Sequence, residues 1–339
     1  MFDAFPPADT AAWEKTAREE LQGENPWVKL GREYHGITLK PYYSPDDAPP
    51  SPFRLSPALG TFHGPRTWYN SPRVVVGKES QANAEALEHL ENGADGIAFE
   101  LAGPVRFPDL LKNIQWPVCA LHFFATGATE KEAAALADYM GGFSGDALGA
   151  WYGPGASLLP SDRGFSAVGI QAETATAPAE SIARALASLY HEIAKVPHRH
   201  AALCVDTGSD FFFEIAKLRA ARQAWQALYT SRKQAAPALY IHTWSKAGNT
   251  SAYDPHGHMI RATTAAMASI LGGCNALTVD GDPHDQEMPR RVARNVATIL
   301  REESRFAKVA DPVGGSYFVD HLTAQLSAKI GEHLTPLLR

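Results

Sequence analysis

Residues 201–229 read A-A-L-C-V-D-T-G-S-D-F-F-F-E-I-A-K-L-R-A-A-R-Q-A-W-Q-A-L-Y. The first six are an unbroken apolar run ended by Asp206, the spacing of a strand buried on both faces. Thr207-Gly208-Ser209-Asp210 turns the chain, and 210–229 continues with the periodicity of a long helix. A doubly buried strand feeding a helix is the unit from which parallel α/β folds are built.

The same unit recurs on both sides. Strand-like runs are Arg73–Gly77, Gly96–Leu101, Val118–Phe124, Ala147–Tyr152, Phe165–Ile170, Ala238–Trp244 and Asn275–Asp280. Helical stretches lie at 80–92, 130–141, 178–195, 257–271 and 286–304, with Ile182, Leu186, Leu189 and Ile193 forming one apolar face. Eight strand runs with helices between most of them predict a (β/α)8 TIM barrel. An open doubly wound sheet usually has a glycine-rich first turn, and here that turn is only G-K-E-S.

Residues 1–70 differ. One helix fits around Trp13–Leu21, capped by Asp9 or Thr10 and ended by Gly23. Pro26, Pro41, Pro45, Pro49, Pro50, Pro52 and Pro57 then block helix and central strand. Trp27, Tyr34, Tyr42 and Tyr43 stand between them, so this extended N-terminal arm must lie on another surface, its own barrel or a partner. The division expected is an arm over 1–70 and a barrel over 71–339.

The 339 residues are 45% hydrophobic and carry a net charge of −6. That balance gives no basic surface for nucleic acid. No apolar run reaches the ~20 residues of a membrane span, and M-F-D-A-F-P-P-A-D-T is not a secretory signal. Cys119, Cys204 and Cys274 have no C-x-x-C spacing and read as buried small hydrophobes in a reducing, cytoplasmic setting.

A barrel presents its chemistry at the C-terminal strand ends, here Glu100, His122, Gln171, Asp206, His242 and Asp280. Histidines and carboxylates on one face are metal-ligand types, which makes a metal-dependent hydrolase or lyase one reading. No H-E-x-x-H or paired-carboxylate spacing accompanies them. His198 and His200 precede a strand, on the opposite face, and read as solvated. His256 and His258 follow Asp254-Pro255, a helix cap with proline at the first turn. No nucleophile elbow, P-loop or dinucleotide fingerprint is present. V-A-D-P-V-G-G-S-Y-F-V-D-H-L-T at 309–323 reads locally as a turn, leading to a last helix from Asp320.

That last stretch nevertheless resembles the end of the barrel domain in the methylmalonyl-CoA mutase family. F-P-P with A-A-W-E-K-T-A-R-E-E-L-Q-G and G-I-T-L-K-P-Y-Y-S-P-D-D resemble the family's N-terminal arm. F-F-F-E-I-A-K-L-R-A-A-R-Q-A-W (211–225), D-P-H-G-H-M-I-R-A-T-T-A-A-M-A-S-I-L-G-G (254–273) and R-V-A-R-N-V-A-T-I-L-R-E-E-S (291–304) are similar to three of its helices. The resemblance implies a barrel that threads the tail of an acyl-CoA through its centre. It also implies isomerisation of methylmalonyl-CoA to succinyl-CoA through an adenosylcobalamin radical.

The departures shape what is expected of this chain. The family's cobalt-ligating D-x-H-x-x-G is not matched, since Met259 and Glu287 stand at the glycine positions of Asp254-Pro255-His256 and Asp282-Pro283-His284. No cobalamin-binding domain is expected before Arg339, and the chain is expected to hold no cofactor or metal. The family's G-Y-H motif corresponds to A-V-G-I-Q, which puts Gly169 where a histidine would face the substrate carbonyl. Its H-x-Q corresponds to His242-Thr243-Trp244-Ser245, its substrate-holding arginine aligns near His200, and its first-strand tyrosine meets Val74-Val75-Val76. Gln171, His242 and Ser245 would remain as a vestigial acyl-CoA pocket. The resemblance therefore implies a non-catalytic small subunit pairing with a large catalytic mutase chain that carries the adenosylcobalamin, with the arm lying across that partner. The alternative within the family is the catalytic barrel of a split acyl-CoA mutase that uses a separate cobalamin-binding chain.

Overall fold

The computed structural model describes residues 9–58, 64–125, 127, 129–142, 145–160, 164–174, 177–196, 200–245, 257–281 and 288–338. His198, His256, the Asp254-Pro255 cap and Asp282-Pro283-His284 lie outside the described residues.

The arm opens with α1 (Thr10–Glu20), capped by Asp9, whose Oδ1 accepts from the Ala12 amide at 2.7 Å, and α2 (Pro26–Lys29). A small antiparallel hairpin follows, β1 (Arg32–Tyr34) and β2 (Ile37–Leu39). Sequence reasoning missed it because only proline density was weighed; its turn is His35-Gly36, with φ of +48° and +70°, a two-residue connection of the twist hairpins prefer.

The first barrel stave is split into β3 (Tyr69–Asn70) and β4 (Arg73–Val76). Then come α3 (Glu79–Glu91), β5 (Gly96–Leu101), α4 (Phe107–Leu110), β6 (Ala120–Phe124), α5 (Glu130–Gly141) and β7 (Gly149–Tyr152). The second half holds β8 (Val168–Gln171), α6 (Pro178–Ile193), β9 (His200–Thr207), α7 (Phe211–Ser231), β10 (Ala238–Ser245), α8 (Gly257–Gly272), β11 (Ala276–Val279), α9 (Met288–Glu302) and α10 (Tyr317–Leu337). Each expected strand is present, with ends moved by a few residues. The expected start of the last helix at Asp320 is corrected to Tyr317, because Ser316 is the cap and accepts from the Val319 amide.

All barrel pairings are parallel: β4-β5-β6-β7 form one run and β8-β9-β10-β11-β3 the other. Two seams close them into a barrel. At one, Ala150 bridges Ser166, with the Trp151 amide donating to Ser166 O and the Ser166 amide to Gly149 O, both at 3.0 Å. At the other, the first stave changes neighbour at Ser71-Pro72, since β3 pairs with β11 and β4 with β5. Pro72 still accepts from the Ala98 amide at 2.9 Å and has no N–H to leave unpaired. At Gly149, with φ +128°, a Cβ would stand 1.8 Å from Leu121 O, so only glycine lets β7 enter against β6.

Apolar side chains fill two shells. The outer shell lies between staves and helices, for example Val74, Phe99, Phe123, Leu186, Leu203 and Ile241. The inner shell lies inside the bore. Helix α10 packs on α6 and α7 outside the ring. The arm rests on that added layer: Ile37 is buried, Tyr34 meets Phe213 with centroids 5.3 Å apart, and Tyr43 meets Phe318 at 5.1 Å. Over these residues the arm lies on its own barrel, where Tyr34 and Tyr43 are partly buried. Tyr69 and Asn70 belong to the first stave, so the barrel begins inside the segment assigned to the arm.

The 309–323 stretch is more than a turn. Arg219 of α7 is fully buried and pairs with both Asp311 oxygens at 2.6 and 3.2 Å, while its Nη2 also donates to Phe53 O at 2.9 Å. Arg54 makes a two-pronged pair with Asp320 at 2.8 and 2.9 Å, and the Leu55 amide donates to Asp311. Asp311 and Asp320 thus clamp the arm and α7 together.

Candidate functional site

Because side chains alternate along a stave, register fixes what enters the bore. Arg73, Ala98, His122 and Ala150 stand abreast on one half, and Val75, Glu100, Phe124 and Tyr152 stand two positions nearer the mouth. On the other half Gly169, Ala202 and Tyr240 are abreast, then Gln171, Cys204 and His242, then Asp206, Trp244 and Thr278.

These side chains fill the centre. Phe124 stacks on Tyr152 with centroids 4.6 Å apart and planes 9° from parallel, and Trp244 meets Phe124 edge-on at 5.1 Å. Below them the His122 and His242 rings touch across the bore at 4.4 Å. Phe124, Tyr152 and Trp244 are buried with Ala98, Ala150, Ala202 and Cys204 as one apolar cluster. Over the described residues the bore is packed with side chains.

Both histidines are held neutral. Thr278 Oγ1 donates its one proton to Ser71 O at 2.7 Å, so it accepts from His242 Nε2 at 2.8 Å. That fixes the tautomer and leaves His242 Nδ1 buried without a partner. Burial, then the neighbouring His122, pushes the His242 pKa well below the usual imidazole range. His122 is pushed down to about 3 by burial, and its Nε2 meets Tyr240 Oη at 2.9 Å. Burial raises the Tyr152 and Tyr240 hydroxyls well above their ordinary range, and among the described residues Tyr152 Oη has no hydrogen-bond partner. No group here is poised to exchange a proton near neutrality.

At the mouth the charged groups of the described residues are paired. Arg73 pairs with Glu100 at 2.5 Å and its guanidinium lies 5.6 Å from the Trp244 ring centre. Trp244 Nε1 donates to Asp280, and the Thr174 hydroxyl donates to Asp206. Thus Glu100, Asp206 and Asp280 each have a protein partner, while His122 and His242 are sealed beneath the aromatic layer. Among the described residues no three His, Cys, Asp or Glu side chains are grouped to hold a metal.

The three residues expected to form a vestigial pocket do not share one face. Gln171 is exposed at the mouth and His242 is buried in the bore. Ser245 faces outward, where its Oγ donates to Ala262 O of α8 at 2.7 Å. His200 begins β9 at the opposite end of the barrel. Gly169 does face the bore, but a Cβ there would lie 2.3 Å from Trp151 O and 2.7 Å from Cδ1 of Tyr152. The space a larger side chain would need is filled. Phe124, Tyr240 and Tyr152 escaped sequence reasoning; the first two were signalled by the period-two patterns H-x-F at 122–124 and Y-x-H-x-W at 240–244, whereas Tyr152 lies in neither.

Residues 198–337 match the family model described as Methylmalonyl-CoA mutase. The methylmalonyl-CoA mutase small subunit of Streptomyces virginiae is 41% identical over 124 residues, covering 35% of this chain and 20% of that protein. The methylmalonyl-CoA mutase small subunit of Porphyromonas gingivalis is 25% identical over an alignment of 383 positions, 95% of this chain and 62% of that protein. The chain thus spans about a fifth and about three fifths of these relatives. Among solved structures, Burkholderia cenocepacia dihydropteroate synthase aligns with a TM-score of 0.40 and 16% identity over 76% of this chain and 98% of that one, too slight a likeness to carry further meaning. The resemblance to the mutase family read from the sequence is borne out, and the α/β barrel is present.

Proposed function

From this kinship with the methylmalonyl-CoA mutases, and with one small subunit over 95% of its length, we propose that the chain is a non-catalytic small subunit of an adenosylcobalamin-dependent methylmalonyl-CoA mutase. Its work is to pair with, and stabilise, a large catalytic chain through a broad interface. The observation that carries this reading is the Tyr152 ring packed against Gly169, in the place where the family resemblance puts a histidine. A neutral, filled bore offers neither a donor for a thioester carbonyl nor a path for a CoA tail.

Among the described residues the mouth does not fit cobalamin either, since their donors and acceptors are turned on one another and the floor is aromatic. Adenosylcobalamin, which supplies the radical in the family's reaction, belongs on this reading to the large chain. The split-enzyme reading requires an open bore, and the packed Phe124, Tyr152 and Trp244 count against it.

The test is to measure solution mass and mutase activity of this chain alone, and mixed with a large mutase chain from the same source. An inert chain that forms an active one-to-one complex is expected. Turnover by this chain with only a free-standing cobalamin-binding protein would overturn the proposal.

A further inference from the structure

Helices α7 and α10 run side by side, and toward their C-terminal ends a groove of about 410 Å³ opens between them. Its walls are small or aliphatic: Ala224, Ala227 and Leu228 from α7, and Ser327, Gly331 and Leu334 from α10. A Cβ built on Gly331 would meet nothing within 4 Å, so this wall stands clear of its neighbours. The hydroxyls at the rim are turned away into the helices, Ser231 donating to Leu228 O at 2.7 Å and Thr335 to Gly331 O at 2.8 Å.

One charged group remains on the lining, Arg232. Its guanidinium is steadied 4.9 Å over the Tyr190 ring and makes only a long contact, 3.5 Å, to Leu228 O. Among the described residues no carboxylate pairs with it, whereas Arg219 and Arg54, toward the other end of these helices, are both paired. A guanidinium donates in a planar fork that matches a carboxylate and suits no apolar group. An apolar slot that ends on such a fork is complementary to a molecule with an anionic head and an alkyl body, and its volume is in the range of small-molecule sites.

We propose that this groove binds an unbranched aliphatic carboxylate, the head on Arg232 and the chain between Leu228 and Leu334. The site lies on the outside of the barrel and is independent of the role proposed above.

The test is calorimetric titration of the intact chain with butanoate, hexanoate and octanoate, with octanol as the uncharged control. Affinity should rise about fourfold per added methylene, the equivalent of ~0.8 kcal/mol. Arg232→Gln should weaken octanoate at least tenfold and leave octanol unchanged. Gly331→Leu, at a helical position where leucine is the better helix former, should abolish both while the thermal melt is retained. No heat with octanoate at millimolar concentration would overturn the proposal, as would equal octanoate affinity in wild type and both variants.

Discussion

At Gly169 a single missing side chain says more than its absence of chemistry. The nearest obstacle to a Cβ is the Trp151 carbonyl oxygen at 2.3 Å, a backbone atom that cannot swing aside. Gly169→Ala should therefore lower stability by about 1–3 kcal/mol through overpacking, and Gly169→His by more, without gain of mutase activity. Urea midpoints and a turnover assay on the same preparations check this; a histidine variant as stable as wild type would show that the bore is looser than described. His122 and His242 carry a second expectation. Burial holds both pKa values below the ordinary imidazole value, at about 3 for His122. Between pH 6.5 and about 3 the unfolded chain therefore binds protons that the folded chain refuses, so stability falls as pH drops. The slope is at most about 1.4 kcal/mol per pH unit for each histidine. Urea titrations at pH 7, 6 and 5 should show it, and a His122→Gln, His242→Asn double variant should have a shallower slope than wild type. Gly169 and His242 were visible as positions in the sequence. Tyr152 as the occupant was not, because which rings meet inside a closed bore depends on the register of staves far apart in the chain.

Among elements, the clamp joining the arm, α7 and the stretch before α10 is the sharpest case. Asp311→Asn should cost about 3 kcal/mol, at the low end for a broken buried pair, since it removes the closer carboxylate from buried Arg219 and leaves Asp320 at 3.7 Å. Arg54→Ala should cost less, about 1–2 kcal/mol, because the half-exposed Arg54 leaves buried Asp320 still facing Arg219 at 3.7 Å and accepting from the Gly315 amide at 3.2 Å. Denaturant unfolding of both variants tests the ranking, and an equal cost would contradict it. Period and capping made most elements legible: α5 lies over 130–141 as expected, and β5 over 96–101. The misses have physical causes. The strand expected over 165–170 begins at Val168, because Ser166 makes only the single bridge that closes the seam. Asp320 looks like a helix start from composition, but its carboxylate is engaged by Arg54 while Ser316 caps the helix.

For the molecule as a whole, eight parallel staves could be counted from sequence because each is a short apolar run followed by a turn. That the centre is solid could not be, since His, Tyr and Trp within apolar runs are compatible with a lined channel or a packed core. A solid centre predicts that acyl-CoA esters at millimolar concentration leave the melting temperature of the isolated chain unchanged. A large catalytic chain that binds the folded form should raise it in proportion to concentration over Kd. Differential scanning calorimetry with each additive separates the two cases.

The Arg54–Asp320 pair joins residues 266 positions apart, and the stave holding Tyr69 and Asn70 is completed only by β11 near the other end of the chain. Contacts of such separation form late and slowly. On a ribosome the barrel cannot close until Val279 has left the exit tunnel, so the first stave waits through the addition of about 200 further residues with an unpaired edge. A chain built this way depends on what shields that edge in the meantime, and its yield in a cell is set as much by the order of emergence as by the strength of the finished barrel.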